Sequence, residues 1–141
     1  MTNPRVFVSF DFDHNDQSKI RFVGQSKNSR VPFTISDWSA KSSMPQSQWE
    51  EIVKNKINKT NMVIVLVGRH MASATGVVKE IQMARELNVP CFGVYVDSAN
   101  TSSNLPAGLV RGRTIKWTWL GVANAMNQMM KEGKKQKINY E

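Results

Sequence analysis

"MVIVLV", Met62 to Val67, with "ATGVVKEIQMAREL", Ala74 to Leu87, soon after it, decides the class of fold. The first run is uniformly apolar and rich in β-branched residues, the pattern of a central parallel strand covered on both faces. The second repeats apolar residues at helical spacing, each residue advancing by about 100°. With Val77 as origin, Ile81, Ala84 and Leu87 fall within about 80° of it. Glu80 falls between Ala84 and Leu87, inside that apolar arc, whereas Glu86 lies on the opposite, polar face. A strand followed by an amphipathic helix is half of a parallel crossover unit, and this one aims a carboxylate toward its apolar side.

The same alternation continues in both directions. "RVFVSF", Arg5 to Phe10, reads as the first strand, and Asp16 to Gln25 carries Ile20 and Val23 at helical spacing. "VPFTIS", Val31 to Ser36, alternates Val31, Phe33 and Ile35 as a half-exposed edge strand does. "SQWEEIVKNKIN", Ser47 to Asn58, repeats Trp49, Ile52/Val53 and Ile57 with a helix period. "PCFGVYV", Pro90 to Val96, is the fourth strand, with Asn88 and Pro90 ending the helix before it. A long polar loop, Asp97 to Arg113, leads to a short fifth strand, "TIKW", Thr114 to Trp117. Val122, Met126 and Met129/Met130 mark a last helix.

This order predicts an α/β, flavodoxin-like three-layer sandwich. Its five-stranded parallel sheet takes the order 2-1-3-4-5, which makes the two most apolar strands neighbours. Ligands of such sheets bind outside the carboxyl ends of the strands, where the winding direction switches. That point lies between strands one and three. Ser9 to His14 leave the first strand there, and Gly68 to Ser73 leave the third. Glu80, in the early turns of the next helix, stands near the same crevice. Two readings of it remain open. It is a carboxylate near a helix N-terminus with its stem packed and its head in water, or a partly desolvated carboxylate in a cleft.

The 141 residues are the size of one domain, long enough to fold without disulfide or metal. The only cysteine, Cys91, lies inside a strand, so no intrachain disulfide framework exists and a reducing compartment is expected. "MTNPRVFVSF" lacks the regions of a signal peptide, and no apolar run is long enough to span a membrane. A soluble, cytoplasmic protein with no membrane partner is expected. The net charge is +8. Residues 1–131 read as the domain and 132–141 as a basic tail. The cations elsewhere are scattered, with no arginine/lysine stripe interleaved with aromatics, so nucleic acid is not an expected partner.

Other chemistries find incomplete residue sets. Asp11 and Asp13 resemble the first motif of haloacid dehalogenase-type phosphatases, but the third strand ends in Gly68-Arg69 and the fourth in a single Asp97. His14 and His70 stand in no metal-ligand spacing, and no metal is expected. No phosphate-binding glycine motif occurs. Trp49 has core spacing, and Trp117 and Trp119 flank the last strand and are expected to pack. Trp38 reads as part of a polar loop after the second strand. There it serves either as a packed anchor or as an exposed aromatic at the rim.

The stretches "RVFVSFDFDHND", "VGQSKN", "FTISDWS" and "VIVLVGRHMASATGVVKEIQMA" together resemble the bacterial TIR-like (Toll/interleukin-1 receptor-like) domains, in particular the single-domain group of the Thoeris defence TIR proteins. The resemblance runs from about Arg5 to Val96, with "KWTW" following in place. It implies a hydrolase-type, NAD-consuming enzyme: an NAD glycohydrolase or ADP-ribosyl cyclase that cleaves the nicotinamide–ribose bond and makes a nucleotide signal in antiphage defence. NAD is then substrate, and no cofactor is implied. Glu80 occupies the place of the family's catalytic glutamate. Phe10 and Asp11 line the nicotinamide-ribose side, Asp37 and Trp38 belong to a mobile loop over the site, and Arg69 and Ser73 contact ribose or phosphate. A homo-oligomer and a phage-derived trigger are the implied partners. Gly76 stands where many of these enzymes carry a tryptophan, four residues before the glutamate. The alternative within the family is a non-enzymatic interaction or scaffold domain.

Overall fold

The computed structural model describes residues 4–11, 20–22, 24, 34–38, 46–69, 75–96, 99–100 and 102–136. Five strands, β1 (Arg5–Ser9), β2 (Thr34–Trp38), β3 (Met62–Val67), β4 (Cys91–Tyr95) and β5 (Thr114–Lys116), pair in parallel in the order β2-β1-β3-β4-β5. Three helices, α1 (Gln46–Asn58), α2 (Thr75–Glu86) and α3 (Trp119–Gln136), pack against it. Ile20 to Phe22 and Gly24 are also helical.

The apolar strands take the centre. Every residue of β3 is buried, because helices cover both faces of the sheet. On one face Phe7, Val63, Val65 and Val67 meet Val53 and Ile57 of α1 and Val77, Ile81 and Ala84 of α2. On the other, Val6, Val8, Ile64, Leu66 and Val94 meet Phe22 and Val122, Met126 and Met129 of α3. The result is three layers around two cores, each buried aliphatic side chain contributing about 1.5–3 kcal/mol. Trp117 and Trp119 close the second core over Phe22, with ring centroids 5.5 and 5.2 Å from it. Met130, by contrast, faces outward beside the buried Met129.

The helix that carries Glu80 stops as Asn88 and Pro90 predict. Asn88 takes the left-handed conformation (φ 58°). Its N–H reaches Arg85 O at 3.1 Å, and the Val89 N–H reaches Ala84 O at 2.8 Å. These are the two hydrogen bonds of a Schellman cap.

Two boundaries differ from those expected. β2 is described over Thr34–Trp38, and Trp38 pairs with Val8, so Trp38 lies on a strand instead of in a loop after it. The register shifts between Val6 and Phe7, whose partners are Ile35 and Asp37, leaving Ser36 as an extra residue. Such a bulge breaks the alternation from which the strand was read, so the pattern ends where the pairing continues. Val31 to Phe33 lie outside the described residues. At the other terminus α3 continues to Gln136, past the point where a basic tail was expected to begin. Among the described residues no helix is long and apolar enough to cross a membrane.

Candidate active site at the end of the first strand

Side chains alternate along β1. Val6 and Val8 enter the core beneath α3, while Phe7 enters the one beneath α1 and α2. Ser9, the last residue of the strand, continues the Phe7 series and meets α2. It interrupts an apolar run with a hydroxyl that is 0% exposed. A buried hydroxyl is costly unless it finds a partner, and here the partner is the opening oddity of the sequence. Ser9 Oγ donates to Glu80 Oε1 at 2.6 Å.

Glu80 is 1% exposed, and its Oε2 is buried as well. Of the two readings the pattern allowed, the solvated head is therefore excluded, and the desolvated carboxyl is what the fold builds. Burial favours the neutral acid, whereas donation from a hydroxyl favours the carboxylate. A group held between those two tendencies is suited to meeting a developing positive charge or exchanging a proton. The pair stands at the carboxyl end of β1, where Ser9 registers with Val65 of β3. The order β2-β1-β3 makes this the point where the winding direction switches.

The other expected site residues are distributed around that point. Asp11, just beyond β1, is largely buried. Phe10 turns into the opposite core with Phe22 and Val96, so it stands on the other face of the sheet from Glu80. Arg69 is exposed, one residue beyond the buried Gly68 that follows β3. Asp37 and Trp38 lie on β2, opposite Phe7 and Val8 in the backbone register. Ser73, with Asp13, His14 and His70, lies outside the described residues. Among the described residues, no three histidine, cysteine, aspartate or glutamate side chains gather as a metal site.

Sequence reasoning missed Ser9 as a site residue. Its signal was present, a hydroxyl closing an apolar strand on the Phe7 side, but the partner that gives it meaning is 71 residues away.

The TIR domains in a structure described as the activated Roq1 resistosome directly recognising the pathogen effector XopQ superpose with a TM-score of 0.51 at 14% identity, covering 89% of this chain and 71% of that one. A prokaryotic SEFIR domain gives 0.49 at 12% identity, covering 92% and 91%. No curated protein matches significantly in sequence. Residues 7–101 match the family model described as "Thoeris protein ThsB, TIR-like domain", and the chain belongs to that family.

Proposed function

We propose that this TIR-like domain cleaves the nicotinamide–ribose bond of NAD at Glu80 and thereby produces a nucleotide signal in antiphage defence. The observation that carries the proposal is a carboxyl 1% exposed, hydrogen-bonded by Ser9 and placed at the switch point of a Thoeris-type TIR fold. A scaffold would gain nothing from burying a carboxyl there, because desolvating it works against folding.

The chemistry balances without a cofactor. The bond from the ribose anomeric carbon to the pyridinium nitrogen breaks heterolytically, and both electrons leave with nicotinamide. The leaving group departs neutral and needs no proton. The sugar is left oxocarbenium-like, and the Glu80 carboxylate stabilises that charge or accepts hydrogen bonds from the ribose hydroxyls. Attack by water gives ADP-ribose and releases one proton. Attack by a nitrogen of the same molecule's adenine gives a cyclic product, and attack by another acceptor gives a conjugate.

In this reading Asp11 meets the ribose at the end of β1, and Phe10 supports that strand end from the opposite core. Arg69 supplies a cation for the pyrophosphate, Ser73 a hydroxyl, and Asp37 and Trp38 the wall beside β1. The enzyme works in the cytoplasm as a homo-oligomer and answers a phage-derived trigger. Association of copies is supported by the TIR domains of Roq1, whose structure is that of an assembled resistosome.

The test is incubation of the purified protein with NAD, alone and with phage lysate, followed by mass-resolved chromatography. Free nicotinamide with an ADP-ribose-derived partner is the expected result, and the partner's mass separates hydrolysis, cyclisation and transfer. Unchanged NAD under both conditions at high protein concentration overturns the reading in favour of an interaction module.

A further inference from the structure

We infer that Ser9 is a positioning residue for Glu80: its hydroxyl sets the rotamer of the carboxyl and selects which oxygen faces the crevice. A glutamate side chain has three rotatable bonds, and a helix fixes only the first of them well. The remaining freedom must be removed by a contact at the carboxyl itself. Ser9 supplies that contact from the end of a central strand, with Val8 and Ser9 registered to Ile64 and Val65 of β3. Its short side chain has one rotatable bond between backbone and oxygen, so a donor on this strand is a rigid reference point. The 2.6 Å separation is that of a hydroxyl donating to a carboxylate. Donation to Oε1 directs the acceptor capacity of Oε2 elsewhere, and the position of that oxygen is what a reacting sugar would sense.

The surroundings make this contact specific. The neighbours of Glu80 on its helix face, Val77, Ile81 and Ala84, are apolar and belong to the core. The adjacent Lys79 is engaged with Glu50 of α1 at 3.6 Å. Phe7, next along the same face of β1, is apolar. Ser9 therefore supplies a directional contact of a kind that Val77, Ile81, Ala84 and Phe7 do not.

The catalytic half of this inference rests on the proposed function, so the test has one arm that needs no activity. In protein labelled with carboxyl-13C glutamate, the Glu80 resonance is identified by its loss in Glu80→Gln. Ser9→Ala removes the donor and is expected to move that resonance, whereas Ser9→Thr keeps the hydroxyl and holds it near its original position. In NAD cleavage, Ser9→Ala is expected to lower kcat by roughly 10- to 100-fold with KM within about twofold, and Ser9→Thr to recover most of it. Ser9→Gly, which also lacks a side-chain donor, replaces alanine in both arms if Ser9→Ala does not fold. An unmoved resonance in the folded donor-deficient variant overturns the inference. So does a kcat unchanged per folded molecule, which would leave Ser9 a packing residue. A resonance that moves in a protein that leaves NAD intact upholds the positioning of Glu80 while overturning the enzymatic reading.

Discussion

Arg113 grips Glu132 with both ends of its guanidinium, Nη1 to Oε2 at 2.9 Å and Nη2 to Oε1 at 2.6 Å. The same arginine donates from Nε to Cys91 O at 3.3 Å. One residue before β5 is thus tied at once to the start of β4 and to the last turns of α3. Glu132 is 6% exposed and the Arg113 side chain 26%, so this is a largely desolvated, geometrically matched pair. Removing Arg113 takes the guanidinium from a carboxylate that is 6% exposed and keeps a donor from Gln128 Nε2 at 3.3 Å. Arg113→Ala is expected to cost about 3 kcal/mol, the lower end for buried pairs because the arginine keeps some solvent. Replacing both residues by leucine should cost clearly less than the single change. Urea unfolding of the three proteins decides it, and equal losses in the single and double variants would remove the pair from the account.

Glu80→Gln keeps the size and shape of the carboxyl and a partner for the Ser9 hydroxyl, but not its charge. NAD cleavage should fall by at least about 100-fold, the scale of losing an electrostatic or acid–base group. The melting temperature should hold, because no cavity or orphaned hydroxyl is created. Chromatography of NAD and a thermal melt on the same sample check both statements. Full activity in this variant would remove Glu80 from the mechanism.

Gly108, in the β4–β5 connection, packs closely against α2. Its φ is +94°, and a Cβ there would lie 2.9 Å from Ile81 Cγ2. Arg85, one turn further along α2, donates to Gly108 O at 3.3 Å. Gly108→Ala therefore combines an unfavourable backbone conformation with a clash against the residue next to Glu80. A loss of about 1–3 kcal/mol is expected. Denaturant unfolding measures it, and a neutral effect would mean that the connection shifts freely.

Asn88 holds the left-handed position of the α2 cap (φ 58°). Asn88→Ala should lose about 1–2 kcal/mol, the cost of placing a Cβ in that region. Asn88→Gly should be at least as stable as the original. The two midpoints in one denaturation series test the cap, and a reversed order would argue against it.

How far the sequence could be read depends on the range of each signal. The α/β class with a parallel sheet was legible because "MVIVLV" and the helices beside it state their periods within a few residues. The side toward which Glu80 points was legible for the same reason, since the apolar arc of α2 contains it, whereas the burial of its carboxyl was left open by the pattern and decided by the fold. The packing of Trp117 and Trp119 followed from their place beside a strand. The extent of β2 was not legible, because the bulge at Ser36 interrupts the alternation while the backbone pairing goes on to Trp38.

Residue periodicity and cap chemistry by themselves determined the class of fold, the end of α2 at Asn88 and the side toward which Glu80 points. These are local properties, set by sterics and by burial of one face of each element. Only the tertiary structure decided what Glu80 meets there, that Arg113 closes on Glu132, and that Phe10 turns to the other face of the sheet from Glu80. Ser9 and Glu80 are 71 residues apart, and nothing in either local stretch specifies the other. Their contact exists because parallel pairing sets β1 beside β3 and packing sets α2 across both. A buried hydroxyl and a buried carboxyl brought together in that way offset part of each other's desolvation.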